Sequence, residues 1–406
     1  MSTEPSAARA ARLTIALGLA AGFCEGIDLQ GPGVAAPGIR ATFMPTAQQM
    51  GSFLAAGTLG LFIGAVVGGW LADRIGRRRV LACSVLAFGV FSILNAWAPT
   101  YEWLYWARFL TGLGLGGALP MLVTMVAEAS APERRSANVA MAYAGLPIGG
   151  ILVSIIASSI APENWRTIFV LGGVVPIVVG LLMMFLLPES SEFSRVRAAG
   201  SGAARADAGN LFKIMAEGRA LPTLVLWVTF FLGLLILYLL LTWLPLLMTD
   251  NGLSSRQAAM AQIGFNVGGA VAALSMGRLL AGRWRMPSVV AAAVGIPLFL
   301  YLVAHAGSAF GTVAACVLLL GVAVLALQAF FYASAPTLYP TWIRGVGVGA
   351  VIAVGRVGSY VGPKVGGYLK GLGHSSPQLL MDLMPIAIAG SAFALLLALF
   401  KPRHRD

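Results

Sequence analysis

Two carboxylates lie one helical turn apart inside an apolar segment near the N-terminus. Glu25 and Asp28 occur in G-F-C-E-G-I-D-L-Q-G-P-G, residues 22–33, with apolar residues on both sides. Residues at i and i+3 of a helix are neighbours on its surface. A carboxyl group in poorly hydrated surroundings is costly to keep charged, so it is suited to take up and release a proton. The spacing therefore predicts a proton-handling site.

Two arginines lie in equally apolar surroundings. Arg108 begins R-F-L-T-G-L-G, and Arg356 ends I-R-G-V-G-V-G-A-V-I-A-V-G-R. A guanidinium group keeps its charge, and its planar fork matches the two oxygens of a carboxylate. Arg356 is therefore the candidate anchor for an organic anion, and Glu25 is the candidate proton carrier.

The composition defines the class of protein that must position these charges. Of the 406 residues, 58% are hydrophobic and 10% are charged, and the mean hydropathy is +0.86. Soluble domains carry about 25% charged residues. Apolar runs of about 20 residues, each long enough to cross a hydrocarbon core of about 30 Å, recur along the chain. The sequence therefore predicts a polytopic membrane protein.

Apolar runs bounded by Pro, Gly or charged residues predict twelve transmembrane helices in an all-α fold. Their approximate bounds are 13–39, 50–72, 79–98, 101–128, 135–160, 165–187, 221–249, 256–280, 286–305, 309–337, 343–370 and 378–400. The domains predicted from them are an N-terminal six-helix bundle (1–187), a cytoplasmic linker (188–220) and a C-terminal six-helix bundle (221–406).

The basic residues set the predicted orientation. With the N-terminus inside, cytoplasmic segments hold 20 of the 27 Lys and Arg residues, outer loops hold four and the spans hold three. This distribution follows the positive-inside rule, so both termini are predicted to be cytoplasmic. The net charge of +12 reflects this topology and not binding of nucleic acid. The three cysteines have neither metal-ligand nor disulfide spacing.

The two halves resemble each other weakly. G-W-L-A-D-R-I-G-R-R (69–78) follows the second span, and G-R-L-L-A-G-R-W-R (277–285) follows the eighth. Internal repeats of this kind are typical of secondary transporters, whose sites lie near the membrane midplane between the halves. No Walker lysine accompanies the G-V-G-V-G stretch, so we expect transport to be driven by a gradient.

These motifs also resemble a known family. The G-x-L-A-D-R-x-G-R-R-R loop, the Arg108 stretch and Pro188-Glu189-Ser190 are similar to the major facilitator superfamily. E-G-I-D-L-Q and the pair Arg344 and Arg356 resemble its aromatic acid:proton symporter family, and within it the transporters of hydroxyphenylpropionates. Two positions depart from the family pattern: Glu25 stands where most members have Asp, and Ala281 where the repeated loop often has Asp.

The resemblance implies the major facilitator fold, with two pseudo-symmetric bundles, and a multi-pass protein of the inner membrane. The implied protein is a monomer without a cofactor, and it uses protons as the coupling ion. The resemblance also implies a cytoplasmic gate; an alternative for its loop is a basic segment that only sets topology. The implied gate residues are Asp73, Arg74, Gly76, Arg77, Glu128, Arg135 and Arg344.

Depth along the predicted helices sorts the buried charges into two pairs. At 1.5 Å per residue, Glu25 and Arg356 each lie about 18 Å into the membrane from the cytoplasmic side. Asp28 lies about 4.5 Å further out, at the depth expected for Arg108. We therefore predict that Glu25 faces Arg356 across a central cavity and that Asp28 lies level with Arg108. The alternative for each pair is an ion pair that only fixes helix packing.

Further polar and aromatic residues of the spans are candidates for substrate contact, although most such residues pack against lipid or neighbouring helices. An aromatic ring and its hydroxyl groups require flat and hydrogen-bonding partners. The predicted proton-coupling residues are Glu25, Asp28 and Arg108. The predicted substrate-binding residues are Arg356, Glu25, Gln30, Tyr238, Trp243, Asn266, Gln328 and Tyr332.

The expected function is import of a small aromatic carboxylate with protons by alternating access, with hydroxyphenylpropionates and hydroxybenzoates as the substrate types. Two alternatives remain at this point. One is efflux of drugs or organic ions in exchange for protons, which the partial likeness of Ala144–Gly150 to an antiporter motif would support. In that stretch, small residues also simply allow close helix packing. The other is a ligand sensor that transports nothing.

Overall fold

The chain folds into long helices whose ends are set by turn and capping residues. The computed structural model describes residues 4–131, 134–190, 214–216 and 218–400. In the first half, α1–α6 span Glu4–Phe43, Ala47–Ile75, Arg77–Ala96, Tyr101–Ala129, Arg135–Ser159 and Arg166–Leu186. In the second half, α7–α13 span Ala220–Asp250, Ser255–Ala281, Arg285–His305, Phe310–Ser334, Thr341–Gly371, Ser376–Asp382 and Met384–Leu399.

Local sequence accounts for several of these ends. Gly76 has a φ of +102°, a region that favours glycine, and it turns the chain between α2 and α3. The hydroxyl group of Thr100 accepts a hydrogen bond from the backbone of Trp103 and caps α4. Ser254 and Gln257 form a reciprocal capping box at the start of α8.

The helices have the length and composition of membrane spans. In the described chain, eleven helices are long and apolar enough to cross a membrane, with α12 and α13 together forming one span. Ala144–Ser159 within α5 is a shorter apolar helix. The predicted all-α fold is therefore confirmed, and the eleven candidate spans together with the shorter apolar helix correspond to the twelve predicted runs. The largest differences are that α1 begins at Glu4, well before the predicted residue 13, and that the last span is divided at Leu383, with Pro385 in the first turn of α13.

The chain groups into two units. The first comprises residues 1–45 and 56–204, and the second comprises residues 46–55 and 205–406. Most of the predicted linker (188–220) lies outside the described residues, so the predicted domain bounds stay a prediction.

Glycines allow the helices of the first unit to approach closely. A Cβ atom at Gly26 of α1 would lie 2.0 Å from the carbonyl oxygen of Leu146 in α5, and one at Gly60 of α2 would lie 2.0 Å from that of Phe109 in α4. Membrane helices associate through such small residues because lipid supplies no hydrophobic drive for their contact. The two crossings pack α1 against α5 and α2 against α4 within the first unit, to which α2 belongs from residue 56 onward.

In the second unit, glycines of α11 pack against α7. A Cβ atom at Gly358 would lie 2.2 Å from the carbonyl oxygen of Phe231, and one at Gly362 would lie 2.3 Å from that of Leu235. At the far end of both helices, Lys370 Nζ lies 2.8 Å from Asp250 Oδ2. This contact joins the C-terminal ends of α7 and α11.

Candidate functional site

A buried ion pair joins α1 to α4 in the first unit. Arg108 Nη1 donates to Asp28 Oδ2 at 2.8 Å, and each residue is only 3% exposed. The predicted common depth of the two residues is confirmed by this contact. Loss of one partner would leave an uncompensated charge in an apolar bundle, which costs about 3–5 kcal/mol. Loss of either residue alone is therefore expected to destabilise the protein, independently of any further role of the pair.

Polar groups continue from Arg108 toward α3. Thr111, one turn further along α4, accepts a hydrogen bond from Asn95 Nδ2 at 3.0 Å and is itself fully buried. Among the described residues, Arg108 Nε has no hydrogen-bond partner. Buried polar side chains of α1, α3 and α4 therefore lie close together in the first unit.

Glu25 lies one turn before Asp28 on α1 and is 4% exposed. The same helix presents Gly22 and Gly26 to α5, where Gly145 and Gly149 pack against the backbone of Phe23. The glycines of the stretch Ala144–Gly150 thus form a close-packed helix contact, as one of its two interpretations predicted. Glu25 and Arg356 lie in different units, and their meeting across a cavity stays a prediction.

A polar network joins three parts of the first unit beside the basic loop. Arg77, the first residue of α3, forms a salt bridge with Glu128 near the end of α4. Ser190, which follows α6, donates to Glu128 Oε2 at 2.6 Å. The neighbouring Glu189 accepts from the backbone N–H of Arg78 at 2.9 Å. These contacts tie the ends of α3 and α4 to the chain after α6.

The other predicted gate residues are not part of this network. Asp73 is exposed, Arg74 stacks over the ring of Trp70 at 3.8 Å from its centroid, and Arg135 is exposed at the start of α5. Glu189 and Ser190 were missing from the predicted gate, although P-E-S was among the motifs that suggested the family. The P-E-S motif was visible in the sequence, but the residues that Glu189 and Ser190 contact could not be predicted from it.

Arg344 has its own surroundings in the second unit. Its Nε donates to the carbonyl oxygen of Tyr339 at 3.4 Å, and the Tyr339 hydroxyl group donates to Thr223 Oγ1 at 3.3 Å. Burial raises the pKa of Tyr339, an effect that the Thr223 hydrogen bond and the nearby charge of Arg219 partly offset. The phenol therefore stays protonated at neutral pH and keeps its bond to α7.

Arg356 is oriented by a tyrosine. Its Nη1 donates to Tyr238 Oη in α7 at 3.0 Å, and the arginine is half-buried whereas the tyrosine is 6% exposed. A tyrosine oxygen that accepts from a guanidinium group still has its own O–H to donate. Arg356 and Tyr238 together can therefore offer N–H and O–H donors to one anionic group.

Comparison with known proteins shows to which family the chain belongs. A family model of the Major Facilitator Superfamily matches residues 18–363. The chain belongs to this superfamily. Membership makes it a multi-pass membrane transporter and not an enzyme. Among the described residues, no group of three or more His, Cys, Asp or Glu side chains is placed to hold a metal ion.

Named relatives of the transporter cover almost its whole length. It is 36% identical over 401 residues to the 3-(3-hydroxy-phenyl)propionate transporter of Escherichia coli strain K12, covering 98% of this chain and 97% of that one. It is 33% identical to a 4-hydroxybenzoate transporter of Pseudomonas aeruginosa, covering 92% of this chain and 89% of that one. Its fold matches the crystal structure of a D-xylose-proton symporter with a TM-score of 0.78 and 16% identity, over 96% and 98% of the two chains.

Other predicted substrate residues of the transporter pack against neighbouring helices. The Gln30 amide lies where a Cβ atom on Gly150 of α5 would be, at 2.0 Å from its Nε2 atom. Trp243 is 1% exposed and donates from Nε1 to the carbonyl oxygen of Pro363 at 2.9 Å. Asn266 donates to the carbonyl oxygen of Gln262 at 3.0 Å. Gln30 and Trp243 thus contact a neighbouring helix, whereas the hydrogen bond of Asn266 lies within α8. A further role of these residues in substrate binding stays a prediction.

Gln328 lines a small cavity inside the second unit, between α7, α9, α10 and α13. Its side chain is 4% exposed, and its Oε1 has no hydrogen-bond partner among the residues that the structure describes. The cavity has room for about one water molecule. This is too small for an aromatic acid. Tyr332, in contrast, is 47% exposed and meets the ring of Phe230 edge-on, with 5.1 Å between the ring centroids.

Proposed function

We propose that this transporter imports a small aromatic carboxylate together with protons. Two relatives are named for hydroxylated aromatic acids, 3-(3-hydroxyphenyl)propionate and 4-hydroxybenzoate. The observation that carries the proposal for this chain is the hydrogen bond between Arg356 and Tyr238. A permanently charged, oriented donor set within an apolar bundle suits a carboxylate and disfavours an organic cation.

Co-transported protons compensate the negative charge of an anionic substrate. Each elementary charge moved across the membrane costs or yields about 2.3 kcal/mol per 100 mV, and an inside-negative potential opposes entry of an anion. A monoanion that moves with one proton is electrically neutral and still uses the pH gradient. Glu25 is the proposed proton carrier, and Asp28 and Arg108 are the proposed partners that adjust it.

Alternating access then requires that one side closes while the other opens. We place both termini and the basic loop on the cytoplasmic side of the inner membrane, in agreement with the distribution of Lys and Arg. In this orientation the network of Arg77, Glu128 and Ser190 stiffens the cytoplasmic end of the first unit. Asp73, Arg135 and Arg344 are its proposed partners in closing that side. The protein acts as a monomer and needs no cofactor.

Uptake into proteoliposomes tests the proposed function. The purified protein is reconstituted, an inward proton gradient is imposed, and uptake of labelled 3-(3-hydroxyphenyl)propionate and 4-hydroxybenzoate is followed, with xylose and an organic cation as controls. We expect gradient-dependent accumulation of one or both acids and of neither control. Uptake that ignores the gradient would contradict the proposal, and proton-driven export of the cation would favour the efflux alternative.

The Glu25→Gln variant separates proton movement from substrate binding. We expect at least a tenfold loss of proton-driven accumulation, since the amide carries no exchangeable charge, while exchange of internal for external substrate continues. The measurement compares uptake under a proton gradient with counterflow at equal pH on both sides. Equal losses in both assays would show that Glu25 binds substrate and does not carry the proton.

The Tyr238→Phe variant tests whether the phenol orients Arg356 and contacts the substrate. A hydrogen bond to a charged group contributes about 1.5–3 kcal/mol. We expect KM for the aromatic acid to rise about tenfold, with a small change in the maximal rate. Tyr301→Phe is the matched control, because Tyr301 is 46% exposed and stacks on His305. An unchanged KM in Tyr238→Phe would remove Tyr238 from the site.

A further inference from the structure

Gly57 lies on α2 directly beside the guanidinium group of Arg108. A Cβ atom at Gly57 would lie 2.6 Å from Arg108 Nε and 2.8 Å from both Cζ and Nη2. All three distances are shorter than any that real Cβ atoms show. The guanidinium group of Arg108 therefore occupies the space that a side chain at residue 57 would need.

Another atom of the same guanidinium group binds Asp28. Arg108 Nη1 lies 2.8 Å from Asp28 Oδ2, and Arg108 is 3% exposed. Nε, Cζ and Nη2 of the group are therefore the atoms nearest to residue 57, whereas Nη1 carries the bond to Asp28. A methyl group at residue 57 would displace the guanidinium group from the carboxylate or move α2 away from α4.

We propose that Gly57 is a positioning residue for the Asp28–Arg108 pair and, through that pair, for proton-coupled uptake. The positioning of the Asp28–Arg108 pair does not depend on the proposed function. The effect on proton-coupled uptake rests on it. Gly57 leaves free the space in which the guanidinium group reaches Asp28. No motif marks this glycine, and its role follows from its distance to Arg108 alone.

A simpler role for Gly57 is close packing of α2 on α4. A Cβ atom at Gly112 would lie 2.0 Å from the Gly57 carbonyl oxygen, so the two backbones are in contact at this crossing. Gly60 belongs to the same crossing, but a Cβ atom there would meet the backbone of Phe109 at 2.0 Å and not Arg108. The Gly60→Ala variant is therefore the matched control for helix packing.

A double-mutant cycle distinguishes the two roles. Gly57→Ala and Gly60→Ala are each combined with Arg108→Lys, whose ammonium group has no planar fork beside residue 57. Proton-driven uptake, its pH profile and the midpoint of thermal unfolding in detergent are measured for every variant. Coupling between residues in contact is read as the departure from additivity.

We expect Gly57→Ala to reduce uptake about tenfold and to shift its pH profile, but to reduce it less than threefold in the Arg108→Lys background. Gly60→Ala should have the same effect in both backgrounds. If Arg108→Lys alone abolishes uptake, the cycle is read in the unfolding midpoints, where the same non-additivity is expected.

Equal effects of Gly57→Ala in the two backgrounds would overturn the proposal and leave Gly57 with a packing role. Failure of the proposed function looks different. In that case the unchanged protein shows no proton-driven uptake of aromatic acids, while the unfolding midpoints still report whether Gly57 acts through Arg108.

Discussion

Arg356→Ala is expected to weaken binding of the aromatic acid about 100-fold, which corresponds to about 2.7 kcal/mol. The variant removes the permanent charge and the planar donor set that Tyr238 orients at 3.0 Å. Truncation of one partner of a buried charge pair costs about 2–5 kcal/mol, so a loss of this size is consistent with a direct bond to a carboxylate. Equilibrium binding to the purified protein at constant pH is the measurement, because it does not depend on proton coupling.

Two further variants test whether the loss of affinity in Arg356→Ala is due to the guanidinium group at this position. Arg356→Lys keeps the charge but not the fork, and we expect an intermediate loss of affinity. Arg283→Ala removes an exposed arginine beside Trp284, and affinity should be unchanged. Unaltered affinity in Arg356→Ala would remove the anchor role, and the carboxylate would then have to bind elsewhere.

Arg108→Ala is expected to have the largest effect on stability, about 3–5 kcal/mol, because it leaves Asp28 charged and unpaired in a buried site. Asp28→Asn should also destabilise, since Arg108 then loses the charged acceptor that it has among the described residues. The double variant Asp28→Asn with Arg108→Gln should be more stable than the sum of the single effects predicts. Thermal unfolding in detergent is the measurement.

Transport by the double variant decides whether the pair is functional or only structural. We expect the folded double variant to bind substrate but to lose proton-driven accumulation. Recovery of full uptake together with stability would assign the pair to helix packing alone. Additive effects on stability would contradict the direct interaction of Asp28 with Arg108.

The fold was predictable because hydrophobic length determines it. Each span needs about 20 apolar residues, and charged or turn residues separate the spans, so twelve helices could be read from composition along the chain. The predicted and observed helix bounds differ where the pattern of apolar residues does not mark the end of a helix. The start of α1 is helical well before the apolar run begins, and the last span is divided at Leu383 into α12 and α13.

The site was predictable in depth but not in side-chain partners. A rise of 1.5 Å per residue correctly placed Asp28 level with Arg108. The rise per residue gives no information on helix rotation. Tyr238 was therefore predicted to contact the substrate, but its hydrogen bond from Arg356 was not predicted. The contact of Glu189 with the backbone of Arg78 joins residues far apart in the chain, and no sequence pattern predicts such a contact.

The most direct test of proton-coupled uptake is the internal pH of proteoliposomes after substrate alone is added. With no imposed pH gradient and the membrane potential clamped at zero, an inward gradient of 3-(3-hydroxyphenyl)propionate should carry protons in and acidify the interior, and the Glu25→Gln variant should not. Substrate entry without acidification in the unchanged protein would contradict coupling and would leave a uniporter of aromatic acids.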